Sequence, residues 1–374
     1  MLAKAVFWGS LGALAWTHAG YGLAMSALAR LRPRPVAYED VTPSVALVVS
    51  AHDEEAVIGR RLENLLALDY PAERLEIVVA SDGSTDRTEE IVEEIAAREP
   101  RVRLLRCPRE GKVAAQHRSV RETASDVLAF TDANTQWRPD ALGMLVRNLA
   151  DPEVGYVCGQ LRLESPDGVN VEGLYWRYEV WVREQESRTG SITAGNGAIY
   201  AVRREAYVED DPRFGHDFGF PYLMEQAGRR AVYEPEAVAV EKAASEPEDE
   251  YGRKVRMIAR AWGHVWSGRM FRPTRPLYLA ELLSHRVFRY SSGLLHVALL
   301  LSNLALLGRP FYRVFLAFQL GGLALAAAGK ARLPVPGARL AYYYFVVTKA
   351  TVAGLVRYLR SGTPQTWDKA GGTR

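Results

Sequence analysis

The sequence predicts an α/β domain on a mainly parallel sheet, set between apolar terminal segments long enough to cross a membrane. Three observations lead there. Short apolar runs rich in β-branched residues alternate with segments of helical periodicity from about residue 40 onward, the pattern of a parallel sheet covered on both faces. Two acidic clusters, Ser81–Asp86 and Thr131–Asn134, each follow such a run directly, and open α/β sheets bind ligands past the carboxyl ends of their strands. Both ends of the chain are apolar, whereas residues from about 40 to 260 are rich in charge.

Val45–Ser50 reads as the first strand, and Ala56–Leu68 as a helix that stops before Tyr70 and Pro71. Leu75–Ala80 is the second strand, followed by a helix over Asp86–Arg98 with Thr85 or Asp86 as its cap. Val102–Leu105 is a third strand, Gly111–Ala124 a helix and Val127–Thr131 a fourth strand. The rhythm changes after about residue 150. Val154–Gly159 reads as a strand, Gly168–Ser187 as a helix, and residues 193–203 as a Gly-rich turn leading into the apolar run Ala198–Val202. Ala243–Glu250 reads as an acidic loop. Tyr251–Arg269 reads as a basic helix carrying Trp262 and Trp266, of the kind that lies at a membrane interface.

Residues 5–29 carry no formal charge and are followed by Arg30, Arg32 and Arg34. That length can span a bilayer. A signal peptide is the competing reading, but the stretch is long for one and the charge follows it. An uncleaved anchor with this bias puts the central domain in the cytosol. Residues 291–308, 311–329 and 339–358 form three further apolar stretches, the last with Lys349 near its middle. Buried core helices are the alternative for all three. The predicted division is an amino-terminal transmembrane helix (1–30), a catalytic domain (40–250), interfacial helices (251–290), a transmembrane region (291–360) and a tail (361–374).

The formal net charge is +3, from 47 Lys+Arg against 44 Asp+Glu, which argues against a dedicated nucleic-acid binder. Cys107 and Cys158 are the only cysteines. They read as separate reduced thiols, with a lone disulfide or redox couple as the alternative. No Cys/His cluster has zinc spacing.

In order and spacing, Val49–Glu55, Ser81–Asp86, Gly111-Lys112, Asp132-Ala133-Asn134, Gly195–Arg204 and Val232–Ala237 resemble the membrane-bound family-two glycosyltransferases. These are GT-A-fold relatives of cellulose, chitin, hyaluronan and poly-N-acetylglucosamine synthases. The resemblance implies a nucleotide-sugar site. Asp82 would accept a hydrogen bond from the base, with Ala51, His52 and Glu54 lining the base and ribose pocket. Lys112 would face a phosphate. Asp132 and Asn134 correspond to the family's metal motif for Mg²⁺ or Mn²⁺, with an amide where a second acid is usual. Asp217 would be the general base that deprotonates the acceptor, with His216 in place of the family's neighbouring Glu. Arg253 and Arg256 stand where the family has Gln-x-x-Arg-Trp, so one cation for the diphosphate is kept while Gln and Trp are lost. Residues Thr366–Lys369 loosely resemble the family's gating loop; a disordered tail is the alternative.

The function implied is an inverting transferase, integral to the cytoplasmic or inner membrane. It would move a sugar from a nucleoside-diphosphate donor, UDP being expected, to a growing polysaccharide. Transfer of one sugar to a lipid or lipid-linked acceptor is the second reading, and a nucleotide-sugar sensor without turnover the third. A nucleotidyltransferase is disfavoured because His52–Glu55 occupies the place of a Gly-rich phosphate loop.

Overall fold

The computed structural model describes residues 1–164, 173–242, 247–272 and 274–363. Within them the chain divides into two compact units. One comprises Met1–Ala24, Pro247–Ser267 and Ala280–Gly362; the other comprises Met25–Glu246, Gly268–Leu279 and Thr363–Arg374.

The second unit holds an α/β sheet of eight strands among the described residues: β1 (Val45–Ala51), β2 (Leu75–Asp82), β3 (Val102–Cys107), β4 (Val127–Asp132), β5 (Gln136–Trp137), β6 (Val154–Glu164), β7 (Tyr200–Arg203) and β8 (Arg230–Lys242). Their order is β3-β2-β1-β4-β7-β6-β8-β5. Strands β3, β2, β1 and β4 form a parallel block, as predicted, and β6 pairs β8 in parallel. The pairings of β7 with β4 and β6, and of β5 with β8, are antiparallel.

All seven residues of β1 are buried, so both faces of the block are covered. Alternate residues feed different cores, as a period of two requires. Val45, Leu47 and Val49 pack with Ile58, Leu62 and Leu65 of the helix Ile58–Leu66. Each such aliphatic side chain contributes roughly 1.5–3 kcal/mol on full burial. Ala46 and Val48 share the other core with Ala115 and Val120 of the helix Lys112–Arg121, and with Phe220 and Met224 of the helix His216–Gln226.

Three sequence readings need correction. The helix Pro247–Trp266 begins inside the stretch read as an acidic loop, and it ends before Gly268, which adopts positive φ (69°). Of the helix read over 168–187, the residues up to 172 lie outside the described residues, and the remainder is Leu174–Thr189. Strands β5 and β8 and the helix His216–Gln226 were not anticipated. Strand β8 hides because Glu234-Pro235-Glu236 interrupts its apolar run. Its pairing jumps from Gly159↔Glu234 to Gln160↔Val238, so three residues bulge out. Glu234 anchors the bulge by accepting hydrogen bonds from Arg147 (3.0 Å) and Asn148 (2.8 Å).

The other unit is helical. Leu2–Ala15 leads into a π-helical turn at Trp16–Gly20 and the first residues of the helix Tyr21–Leu31, and Ser292–Leu304, Pro310–Lys330 and Ala338–Ser361 follow the order of the predicted apolar stretches. Phe7 packs edge-on against Tyr312 (4.9 Å) and Phe315 (5.0 Å). Gly354 lies so close to Ile258 and Ala259 that a Cβ there would approach Ile258 Cγ2 to 2.6 Å, the small-residue contact by which apolar helices come together. Among the described residues one uninterrupted α-helix, Pro310–Lys330, is long and apolar enough to cross a membrane, and only 11% of its most apolar window is buried. Lys349 sets its ammonium 5.1 Å from the centre of the Tyr251 ring. Trp262 is buried and Trp266 exposed, so of the two only Trp266 presents an open ring.

Candidate active site

The carboxyl edge of the parallel block carries the first two predicted acids. Asp82 ends β2 and Asp132 ends β4, with β1 between them. Two strand spacings put their backbones roughly 10 Å apart. The loops after β1 and β2 are knitted together: Glu54 N–H donates to Thr88 Oγ1 (2.7 Å), Thr85 N–H to Asp53 Oδ1 (2.6 Å) and Glu55 N–H to Asp86 Oδ2 (3.1 Å). Asp53 adopts φ 50° to make this turn. Asp86 also accepts from Thr88 N–H (3.0 Å), but the residue at the N-cap of the helix Thr88–Ala96 is Arg87, not Thr85 or Asp86 as expected.

Asp82 is buried. Its Oδ1 accepts from the backbone N–H groups of Glu110 and Gly111, both at 2.9 Å, and its Oδ2 pairs with Arg109. Gly83 has φ 64° and backs onto the Arg109 backbone at 3.2 Å from where its Cβ would lie, so glycine is required there twice over. Ala51 is buried in the core, Glu54 is buried, and His52 is half-buried, 3.4 Å from Asp53, with its Nδ1 lacking a hydrogen-bond partner.

Lys112, the first residue of its helix, forms an ion pair with Asp132. A Cβ on Gly197 would lie 3.2 Å from Lys112 Nζ and 3.9 Å from Asp132 Oδ2. The loop bearing Gly197 also reaches the third acid: Gly195 N–H donates to the Asp217 carbonyl at 2.7 Å, and Asp217 lies in the first turn of the helix His216–Gln226. Tyr200 senses both acids. Burial raises its hydroxyl pKa well above the usual range, with smaller contributions from Tyr207, Asp217 and Asp132. Asp82, Lys112, Asp132 and Asp217 thus belong to one edge of one unit.

Asn134 donates from Nδ2 to Glu241 Oε1 at 2.9 Å. The oxygen donors offered by Asp132 and Asn134 suit a hard divalent cation. Among the described residues no three His, Cys, Asp or Glu side chains group closely enough to hold a metal alone. A cation such as Mg²⁺ can be held by one or two carboxylates together with substrate phosphates and water. Arg253 and Arg256 lie on the helix Pro247–Trp266 in the other unit, and Thr366–Lys369 lies outside the described residues. Cavities of about 510 Å³, beside Lys349, Arg357 and Arg360, and about 430 Å³, beside Arg332 and Arg339, also belong to that other unit and include none of the predicted site residues.

Several neighbours escaped the sequence reading. Arg61 is fully buried, donates to Thr131 Oγ1 (2.7 Å) and lies over the Trp137 ring (5.5 Å). Burial lowers its guanidinium pKa to about 9, opposed by the charge of Asp132. It pins the end of β4 where the acid emerges. Behind the site, His117 bonds Tyr207 Oη (2.7 Å) and the Asp210 carbonyl (2.8 Å), and His216 bonds Tyr200 Oη (2.9 Å). Helical periodicity marks Arg61 and His117 as ordinary helix residues; only their burial reveals them.

Burial depresses both histidines, His216 well below the ordinary value and further by His117 and Lys112. The folded protein therefore holds them neutral while the unfolded chain protonates them near pH 6.5. Their contribution is fully present above that pH and is lost as pH falls below it. Stability is expected to drop between pH 7 and 5.5 by up to about 1.4 kcal/mol per pH unit for each histidine. Denaturant melts at several pH values check this, and His216→Gln should flatten the slope. A melt independent of pH over that range would contradict it.

Residues 46–210, less than half of the chain, match the family model described as "Glycosyl transferase family 2". The matched segment runs from β1 through β7 and includes Asp82, Lys112, Asp132 and Asn134; Asp217 lies just beyond it. Over 168 residues the chain is 30% identical to a beta-monoglucosyldiacylglycerol synthase of Synechocystis sp., covering 42% of this chain and 35% of that one. Over 224 residues it is 30% identical to an N-acetylglucosaminyltransferase of Sinorhizobium fredii, covering 55% and 54%. The chain thus spans between a third and about half of the length of these curated relatives. A mannosyltransferase from Pyrobaculum calidifontis, solved with GDP-Man and Mn²⁺, has a similar fold. Its TM-score is 0.75 at 22% identity, over 96% of this chain and 97% of that one.

Proposed function

We propose that this chain is an inverting membrane glycosyltransferase that moves a sugar from a nucleoside-diphosphate donor to an acceptor hydroxyl. The observation that carries the reading is the shared edge of Asp82, Lys112, Asp132 and Asp217: the loop Thr193–Ile199 reaches the last three, and Asp82 accepts from the Gly111 backbone beside Lys112. Asp82 and Arg109 together present an acceptor and a donor to the edge of a base. Lys112 faces the diphosphate in exchange for its contact with Asp132. Asp132 and Asn134 hold Mg²⁺ or Mn²⁺, which when bound neutralises charge on the departing diphosphate. Asp217 takes the acceptor proton from the side opposite the leaving group, which makes a single displacement inverting.

Two acceptors fit this chemistry, a growing polysaccharide and a lipid. The second is favoured by the loss of Gln and Trp at Arg253–Met257, by the burial of Trp262, and by a relative named for a glucosyl lipid product. The exposed apolar surface of Pro310–Lys330 supports a membrane setting, since a core helix of a soluble protein would be mostly buried. The test is a donor screen on the full chain in detergent, with UDP- and GDP-sugars and either cation, following free nucleoside diphosphate. Release dependent on a lipid or saccharide acceptor is expected, and the product mass separates one added sugar from many. No release with any donor and acceptor pair would end the reading.

A further inference from the structure

The contact between Asn134 and Glu241 extends the proposed donor site, and the inference drawn from it rests on that reading. Asn134 stands where a second acid would complete the metal motif, and an amide brings one negative charge fewer. Its Nδ2 meets Glu241 Oε1 at 2.9 Å. An ionised carboxylate only accepts hydrogen bonds, so this contact decides which way the amide is turned: nitrogen toward Glu241, oxygen away from it. The meeting is built into the sheet. Strand β5 follows Asn134 by one residue and pairs with β8 in the register Gln136↔Val240, which brings Glu241 alongside.

We propose that Glu241 is a positioning residue for the cation site. It holds the Asn134 side chain with its oxygen turned to the metal and returns, from outside the coordination sphere, the charge that the asparagine lacks. Partners that hydrogen-bond a metal ligand from behind fix its orientation and strengthen it as a donor, and their loss typically weakens metal binding by about 10–100-fold. Glu241 thereby lets an Asp-x-Asn pair serve in place of two acids.

The test is Mn²⁺ affinity, read by the paramagnetic resonance signal of free Mn²⁺ as the full-length protein is titrated with UDP or GDP present. Glu241→Gln keeps the size but removes the charge, and is expected to raise the Mn²⁺ Kd by about tenfold. In Asn134→Asp combined with Glu241→Gln, the carboxylate and amide change places. That pair can make the same contact in reverse, and its Kd should return to within about threefold of the wild type. Asn134→Asp alone is the control: with a merely structural Glu241 the new carboxylate would tighten Mn²⁺ binding by the same factor in both backgrounds. The double variant also carries the test should Glu241→Gln fail to fold. A Glu241→Gln Kd within twofold of the wild type, with Asp132→Asn losing Mn²⁺, would overturn the role of Glu241 and leave the donor site standing. A wild-type protein that retains no Mn²⁺ beside either nucleotide would remove the cation reading and this inference with it.

Discussion

Asp132→Asn is expected to lower sugar transfer by about a thousandfold, the upper end of what removing one charge-stabilising group at a reacting oxygen costs. The residue has two tasks in the proposed site. It supplies the one carboxylate of the Asp132/Asn134 pair, and it balances Lys112 when no diphosphate is present. The substitution keeps shape and hydrogen-bonding capacity while removing the charge. The end of β4 should hold its place, because Arg61 grips Thr131 from the buried side. The loss should therefore appear as weaker Mn²⁺-dependent binding of nucleoside diphosphate with an unchanged melting temperature. Calorimetric titration of UDP and GDP with and without Mn²⁺, beside steady-state rates, measures both. Wild-type turnover in Asp132→Asn would exclude a cation-held leaving group at this position.

Asp217→Asn should act on a different step. If Asp217 removes the acceptor proton, the variant binds donor normally and fails to transfer. We expect kcat to fall by about 10²–10⁴-fold, the usual contribution of a positioned general base, with donor KM changed by less than about threefold. Slow hydrolysis of the donor by water also releases nucleoside diphosphate, so the assay must follow glycosylated acceptor as well as free nucleotide. A parallel fall in donor affinity would reassign Asp217 to binding, and an unaltered kcat would remove it from the reaction. Its place at the start of a helix tied to the Gly195 backbone makes gross unfolding a poor explanation for lost turnover, and circular dichroism checks that directly.

The parallel block was legible because β1, β2 and β4 are largely apolar runs closed by a polar turn, and burial on both faces leaves that mark on the sequence. The acids at the strand ends followed from it. What stayed hidden was paired across long distances in the chain. Arg109 reaches back to Asp82 from the loop after β3, and Glu241 reaches Asn134 from β8. Neither has a local pattern, since a lone Arg or Glu beside a strand looks like any solvated charge. Arg61 was concealed differently: its neighbours Arg60 and Glu63 are surface residues of the same helix, and only the fold turns Arg61 inward. Arg256, the cation expected for the diphosphate, and Arg253, which replaces the motif's Gln, belong to the other unit, beyond what local sequence can place.

The extra loop of chain at Glu234–Val238 sets the phase of everything after it in β8. Neighbouring side chains on a strand point to opposite faces, so losing a single residue there would put Lys242 in the place of Glu241, and gaining one would put Val240 there. Either change takes the carboxylate away from Asn134. Homologous chains that keep an amide at position 134 should therefore tolerate almost any residue in that protrusion, yet almost no change in its length.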